Sequence, residues 1–203
     1  MKDIPIFTAT NGIASLILQE IPYRGEAFVQ VRGVFTQLPF LLRECAAFCR
    51  MAGAERIFAT GNEDFSVYPI HARLMEREIT KSELPTVEAK AISTDDEDWL
   101  SCYREAFRSV PAARTLKHME HCYWIVEQGE RIGFGQIHEG VLDSVAALQK
   151  GAGDRCVCAL AAASSAPKIR LLCAMENLPA MRLYDRLGFS HGPIKECWYD
   201  ITE

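Results

Sequence analysis

The stretch NLPAMRLYDRLGF, residues 177–189, has the spacing of a short amphipathic helix that ends at a glycine. Leu178 and Met181 fall at helical intervals and predict the face that packs against the core. Packing does not require that the same helix also carry the polar side chains of Asn177 and Tyr184. The role of these two polar residues therefore has to be inferred from the elements that precede the helix.

A glycine-containing turn lies upstream of this helix. A strand that ends in VAAL leads into QKGAGDR, residues 149–155, and a helix follows. Glycines at such a junction leave backbone N–H groups open, and the helix dipole favours an anion there. We therefore expect a phosphate or pyrophosphate at Gly151, Ala152 and Gly153. A tight turn without a ligand is the alternative.

Two common phosphate-binding motifs are excluded. The dinucleotide fingerprint needs a third glycine and a parallel strand-helix-strand unit, whereas the strands before Gly151 read as an antiparallel series. The P-loop needs a Gly-Lys-Ser/Thr sequence, which does not follow Gly153. Another kind of fold must therefore hold this turn.

The rest of the second half predicts strands and helices in a definite order. VEAKAI reads as a strand, STDDEDWLSCYREAF as a helix capped by Ser93 or Thr94, and RTLKHMEHC as a second short helix. The next 26 residues, from YWIVEQG to SVAAL, read as three antiparallel strands that turn near Gln128-Gly129 and Glu139-Gly140. KIRLLCAM reads as a buried strand and IKECWYDIT as a closing strand.

The first half has a similar order. Its predicted elements are two strands, a helix and two further strands: residues 13–21, 26–34, 38–53, 55–60 and 74–79. Pro22-Tyr23-Arg24-Gly25 predicts a hairpin between the first two strands, and Gly53 predicts the end of the helix. The order over residues 29–62 repeats over residues 143–177. An internal duplication and two independent right-handed crossovers both explain this repeat.

The whole pattern of the second half, which ends in N-x-x-A-x-x-L-Y-x-x-x-G-F, resembles the GNAT superfamily of acetyl-CoA-dependent N-acetyltransferases. The matching residues are Asn177, Ala180, Leu183, Tyr184, Gly188 and Phe189. The resemblance covers about residues 85–203. It implies a mixed α/β fold, with a mostly antiparallel twisted sheet flanked by helices in residues 83–203. Residues 1–82 resemble the smaller, degenerate half-GNAT unit of some two-part members, which shapes the acceptor pocket.

The resemblance also implies a site for acetyl-CoA as co-substrate. In this family the strand before the glycine turn splays from its neighbour, and its free backbone groups hold the pantetheine arm. The cofactor-binding residues would then be Val145, Ala146, Ala147, Gly151, Ala152, Gly153 and Asn177. Tyr184 would protonate the departing thiolate. The alternatives are that Asn177 is simply a helix N-cap and that Tyr184 is a core aromatic.

The glycine turn departs from the family pattern. The family has Arg or Gln three residues before the first glycine, where this chain has Leu148. The connection from strand to turn is also short, so fewer amides would hold a pyrophosphate. Lys150 or Arg155 would then have to assist.

A general base is needed to take a proton from the attacking amine. Asp143 and Glu139 are the candidates, because both lie on or beside the strand that faces the reaction centre. We favour Asp143, since a carboxylate within an apolar strand is costly to bury without a purpose. Glu139 is better explained as a turn residue. His118, His121 and His138 are further alternatives.

These features predict an N-acyltransferase that moves acetyl from acetyl-CoA to a primary amine of a small molecule or peptide. The alternative is an inactive GNAT-fold module that binds acyl-CoA or another protein. The net charge of −5 argues against nucleic acid, and no apolar run reaches membrane length. We expect a cytoplasmic protein without a metal site, since the eight cysteines lack zinc spacing. Its closing strand would allow a homodimer.

Overall fold

The computed structural model describes residues 1–110 and 120–203. Contacts among them define two compact units. Unit 1 combines both ends of the chain, as Met1–Arg73, residues 108–110 and Glu196–Glu203, and unit 2 comprises Leu74–Phe107 and residues 120–195. These units differ from the predicted division between residues 82 and 83, because the closing strand ends in unit 1. The assignment of residues 1–82 as a half-GNAT domain stays a prediction.

Unit 1 is a sheet with one long helix. Its elements are β1 (Ile4–Ala9), β2 (Gly12–Ile17), α1 (Ile21–Arg24), β3 (Glu26–Val34), α2 (Leu38–Met51), β4 (Arg56–Thr60), the start of β5 (Ile70–Thr80) and the end of β11 (Ile194–Asp200). Part of the strand order is β1-β2-β3-β4-β11, in which β3 and β4 are parallel and the other pairs antiparallel.

The hairpin predicted for unit 1 is confirmed, because β2 and β3 pair antiparallel. The residues around Pro22 connect the two strands through the one-turn helix α1, at whose end Gly25 adopts a left-handed conformation and its N–H bonds to Ile21 O. The sequence did not reveal strand β1, because it is an edge strand without a buried side chain and contains Pro5. The predicted helix end is confirmed, with α2 closing at Met51 and Gly53 at φ 96°.

Unit 2 is a larger sheet with three helices in its described part. Its elements are the rest of β5, a 3-10 turn (Lys81–Glu83), β6 (Lys90–Ser93), α3 (Glu97–Ala106), β7 (Cys122–Glu127), β8 (Glu130–His138), β9 (Val141–Ala147), α4 (Gly153–Ala163), β10 (Lys168–Ala174), α5 (Leu178–Arg186) and the start of β11. The strand order is β5-β10-β9-β8-β7-β6, and β9 with β10 is parallel. The predicted helix RTLKHMEHC lies largely outside the described residues.

The predicted hairpins of unit 2 are confirmed. Gln128 and Gly129 have φ 51° and 86°, and Glu139 and Gly140 have φ 46° and 80°. Positive φ at both central residues defines the tight turns that match the twist of paired strands. The predicted cap of α3 was wrong, because the Asp96 carboxylate accepts the Asp98 N–H at 2.9 Å and takes that position.

Helices cover both faces of the unit 2 sheet. Helix α4 lies close to β8, since a Cβ at Gly133 would collide with Cys156 Sγ and one at Gly135 would lie 2.6 Å from Leu160 Cδ1. On the other face, α3 packs Trp99 against Phe134, with ring centroids 5.4 Å apart. The predicted mixed α/β class is confirmed. Among the helices described here, none is both long and apolar enough to span a membrane.

Candidate active site

The parallel strands β9 and β10 separate almost as soon as they begin. Within the described residues they share one register pair, Val141 with Arg170, and the Arg170 N–H donates to Gly140 O at 2.7 Å. Strand β9 then runs on to Ala147 and β10 to Ala174 without further pairing between them. An opening therefore lies between the two strands, with extended backbone on each side.

Backbone groups of β9 point into this opening at alternate residues. The Leu148 N–H donates to Ile132 O on β8 at 2.9 Å, so alternation commits the groups of Ala146 to β8 as well. The N–H and C=O of Val145 and Ala147 face the other way, towards β10. A ligand with amide groups along an extended arm can pair with such a strand edge. Of the three predicted residues, Val145 and Ala147 have the right orientation.

The opening leads to the beginning of α4. Gly151 is exposed at φ 81°, and the Ala152 N–H bonds back to Gln149 O at 3.2 Å. Ala152 is the N-cap residue of α4, and no side chain in the described part of the protein caps it. The first amides of a helix, beginning here at Gly153, lack intrahelical partners and carry partial positive charge. The geometry fits an anion.

Charged side chains around the turn are already partly committed. Asp154 in the first turn of α4 is 2.6 Å from the guanidinium of Arg186, which offsets its negative charge. Arg155 Nη1 is 3.0 Å from Glu127 Oε2, so Arg155 would have to break this ion pair to bind an anion. Lys150 is exposed, and no carboxylate pairs with it among the described residues. Of the two predicted helpers, Lys150 is the more available cation.

Asn177 is the N-cap residue of α5. The Asn177 Oδ1 accepts the Ala180 N–H at 3.3 Å, so the side-chain oxygen acts as an N-cap. The amide NH2 of the same side chain has no acceptor among the described residues. Both interpretations of Asn177 are therefore compatible, because the oxygen can cap the helix while the nitrogen donates to a ligand.

The Tyr-x-x-x-Gly-Phe pattern at the end of α5 has a structural explanation. The Phe189 N–H donates to Tyr184 O at 3.0 Å and the Gly188 N–H to Asp185 O at 3.1 Å. These two bonds, with Gly188 at φ 84°, form a Schellman motif. The rings of Tyr184 and Phe189 lie 5.3 Å apart and make its usual hydrophobic contact. The pattern thus holds Tyr184 at a defined place.

Tyr184 lies on the packing face of α5. It is 7% exposed and belongs to the core cluster of unit 2, against which Val145 of β9 also packs. Leu187 lies on the same face, whereas Leu178 is 57% exposed and does not pack as its spacing predicted. Tyr184, for which a catalytic role is predicted, therefore lies on the same face of α5 as the packing residue Leu187.

Asp143 occupies an irregular position in β9. The register shifts between the pairs Gln136–Ser144 and Ile137–Leu142, so Asp143 is the extra residue of a β-bulge. It is exposed, and the argument from the cost of its burial was therefore wrong. Bulges re-aim side chains and are common beside active sites. Its neighbour Ser144 is buried, with Oγ 3.4 Å from Gln136 Oε1.

Glu139 has the features of a turn residue. Its side chain is 83% exposed and lies 4.0 Å from His138 Nε2, and the His138 ring stacks on His121 at 4.1 Å. Glu139 lies in the turn with Gly140, before β9 begins at Val141, whereas Asp143 lies within the strand. This position favours the turn interpretation. His118 lies outside the described residues.

Sequence reasoning missed Arg77, a residue of β5 whose side chain is fully buried. It bonds to Asp185 on α5 and to the carbonyl oxygens of Phe189 and Ser190. The available signal was periodicity, because Arg77 is in phase with the buried Ile79 in a strand whose other charged residues are only partly buried.

Comparison with known proteins identifies the architecture. No protein-family model and no curated protein matches the sequence. A putative acetyltransferase from Pyrococcus horikoshii has a similar structure, with a TM-score of 0.61 and 14% identity over 94% of this chain and 68% of that chain. A GCN5-related N-acetyltransferase from Kribbella flavida has a TM-score of 0.53 and 13% identity over 96% and 88%. The chain has the GNAT fold.

The GNAT likeness extends beyond the region that the sequence motif covered. A tandem GNAT protein from the clavulanic acid biosynthesis pathway matches with a TM-score of 0.50 and 12% identity over 94% of this chain and 78% of that chain. All three alignments span both units, whereas the sequence resemblance began near residue 85. The predicted GNAT resemblance is confirmed at the level of the fold.

Proposed function

We propose that the protein is an N-acyltransferase that moves an acetyl group from acetyl-CoA to a primary amine of a small molecule or peptide. The observation that carries the proposal is the opening between β9 and β10, which leads to the uncapped start of α4. A ligand with an amide-bearing arm joined to a pyrophosphate needs both features in this order. The GNAT fold supports the reaction class.

The binding residues follow from the directions of their polar groups. Val145 and Ala147 present backbone N–H and C=O groups to the amides of the pantetheine arm. The turn from Gly151 to Gly153 presents amides to the pyrophosphate, with Lys150 as an accessory cation. The NH2 group of Asn177 donates to the arm where α5 begins.

Bound acetyl-CoA supplies a thioester whose carbonyl carbon the amine nitrogen attacks. A C–N bond forms, the C–S bond breaks, and Tyr184 gives its hydroxyl proton to the sulfur. Asp143, at the bulge, accepts the proton that the nitrogen loses, directly or through a water molecule. Proton return from this site to the tyrosinate completes the cycle, so the products are an amide and a free thiol.

The matched pair of wild type and Tyr184→Phe tests this mechanism. The change keeps the ring contact with Phe189 and removes only the hydroxyl. We expect amine-dependent release of CoA by the wild type and a loss of about 100-fold in kcat in the variant, the lower range for general acid catalysis. An unchanged kcat would remove Tyr184 from the mechanism.

The second candidate is an acyl-CoA-binding module without turnover, which could also be a docking partner for another protein. The short turn and the exposed Leu148, at 47%, favour it, since Leu148 cannot contact a phosphate by hydrogen bonds. Saturable binding of acetyl-CoA with no CoA release over a broad panel of amines would favour this candidate over the enzyme.

We also propose the cytoplasm as the place of action. All eight cysteines are free, and six of them are buried: Cys45, Cys49, Cys122, Cys156, Cys158 and Cys173. Burial raises the pKa of Cys45, Cys49 and Cys156 to about 12, which suits inert core thiols in a reducing compartment. A homodimer through β11 remains a separate proposal that sedimentation would test.

A further inference from the structure

The buried guanidinium of Arg77 converges on the end of α5 and the loop that follows it. Arg77 Nη2 donates to Asp185 Oδ1 at 2.6 Å and to Phe189 O at 2.9 Å, and Nε donates to Ser190 O at 2.7 Å. Nη1 lies 3.6 Å from Met181 Sδ. Each of these partners belongs to α5 or to the four residues that follow it.

These contacts enclose Tyr184 from two directions. Asp185, its neighbour in the helix, is bonded to Arg77, and Phe189, its ring partner, is bonded to Arg77 through the backbone oxygen. The Phe189 N–H closes the loop by donating to Tyr184 O. Rotation or fraying of the last turn of α5 would have to break several of these bonds at once.

Only an arginine can make this set of contacts. Its planar fork presents donors in fixed directions to one carboxylate and two carbonyl groups, whereas a lysine is a point charge on a flexible stem. The nearby guanidinium also lowers the pKa of Asp185, chiefly by hydrogen bonding, so that Asp185 stays ionised. His191 Nε2 contacts the same carboxylate at 2.9 Å from the exposed side.

We propose that Arg77 is the positioning residue for Tyr184, which it holds in place for proton transfer through Asp185 and Phe189. The inference rests on the proposed function, because the position of Tyr184 matters for catalysis only if Tyr184 donates the proton to the thiolate. It adds a residue from β5, a strand outside the sequence motif, to the machinery of the site.

A double-mutant cycle tests the inference with Arg77→Lys, Tyr184→Phe and the double variant. Lysine keeps the buried charge beside Asp185 and loses the fork, so the fold is retained and the hold on the loop is weakened. We expect kcat to fall about 10- to 100-fold, as for a small misplacement of a reacting group, with KM for acetyl-CoA and amine nearly unchanged. In the Tyr184→Phe background the same change should have no further effect on kcat.

Two controls separate positioning from general stability. Lys168→Gln removes the exposed pair with Glu78, the residue next to Arg77 in β5, at a contact of 2.7 Å. His191→Gln removes the other partner of Asp185 and leaves the bond to Arg77 intact. We expect wild-type kcat in both. Amide hydrogen exchange should be faster at Gly188 and Phe189 in Arg77→Lys and unchanged in the controls.

The outcomes are distinct. One outcome would overturn the inference and leave the proposed function intact. In that outcome Tyr184→Phe slows acyl transfer, and Arg77→Lys slows it by the same factor with Tyr184 or Phe at residue 184, because the two residues then act independently. Unchanged exchange at Phe189 in Arg77→Lys would overturn it as well. A wild type without acyl transfer to any amine would overturn the proposed function and the inference together.

Discussion

The described part of each unit contains one parallel strand-helix-strand crossover, and the two crossovers differ in how far their strands stay paired. In unit 1, β3 and β4 pair at five consecutive positions, beginning with Glu26 and Arg56. In unit 2, β9 and β10 pair at Val141 and Arg170 only. The same topology therefore gives a closed sheet in one unit and an open one in the other. The open crossover is the one that can admit a ligand.

The position of a β-bulge accounts for the difference. In β3 the register shifts around Arg32, after the five pairs with β4 are complete. In β9 it shifts at Asp143, two residues after the pair at Val141. A bulge bends its strand and increases the twist. Pairing of β9 with β10 stops just before the bulge at Asp143, whereas pairing of β3 with β4 ends where β4 itself ends, at Thr60.

The turn after β3 and the turn after β9 also differ. Helix α2 begins after Gln37 with Pro39 in its first turn and no glycine. Helix α4 begins after Gly151, whose left-handed conformation directs the chain so that the first amides of the helix face outward. The closed crossover thus lacks both the opening and the glycine-containing turn.

The largest expected effect comes from placing a negative charge in the open crossover. Aspartate tolerates the left-handed conformation of residue 151 better than most side chains do, and a Cβ at that position meets no atom of the described residues within 4 Å. Its carboxylate would repel a pyrophosphate at the start of α4. We expect affinity for acetyl-CoA, measured by titration calorimetry, to fall at least about 100-fold, equivalent to a lost charge-assisted hydrogen bond or more.

Two matched variants serve as controls for this change. Gly129→Asp adds the same residue at φ 86° in the β7–β8 turn, also with no atom within 4 Å. Gln37→Asp adds a carboxylate at the start of α2 in the closed crossover. We expect wild-type affinity in both. A similar loss of affinity in either control would show that charge or strain, and not the site, causes the effect.

A smaller effect is expected from filling the space behind the open crossover. A Cβ at Gly133 of β8 would collide with Cys156 Sγ of α4, whereas one at Gly33 of β3 meets nothing within 4 Å. Gly133→Ala should therefore reduce the free energy of unfolding by about 1–3 kcal/mol, the usual cost of overpacking. Gly33→Ala should change it by less than about 1 kcal/mol. Equal values in chemical denaturation would contradict the close packing of α4.

The smallest contrast concerns the cysteines of the two crossover helices. Burial raises the pKa of Cys45 and Cys49 in α2 to about 12, and those of Cys156 and Cys158 in α4 to about 12 and about 11. At pH 8, far below these values, almost no thiolate is present to react. We expect native alkylation, followed by mass spectrometry, to leave both helices unlabelled. Alkylation of Cys156 or Cys158 in α4, with Cys45 and Cys49 unlabelled, would show that the reagent reaches the buried side of α4 through the opening.

The sequence predicted most elements because their signals are local. Turn residues such as Gly129 and Gly140 marked the hairpins, and apolar periodicity marked α2 and α4. The position of Tyr184 was also predictable, because Gly188 and Phe189 end its helix in a recognisable motif. These features depend on residues within one or two turns of one another.

The features that the sequence did not reveal depend on distant partners. The bulge at Asp143 is defined by the register against β8, and the buried Arg77 by carbonyl groups more than 100 residues away. The same register leaves Asp143 exposed, so the prediction that its carboxylate is buried was wrong. Edge strand β1 carried too little periodicity to be recognised.

Thermal unfolding with and without saturating acetyl-CoA tests most directly whether the open crossover is a binding site. A ligand at about 100 times its dissociation constant adds roughly 2.7 kcal/mol of stability. For a chain of this size we expect the melting temperature to rise by about 5–10 °C. The wild type should show this rise and Gly151→Asp should not. An unchanged melting temperature in the wild type would contradict the account and leave a GNAT fold without its co-substrate.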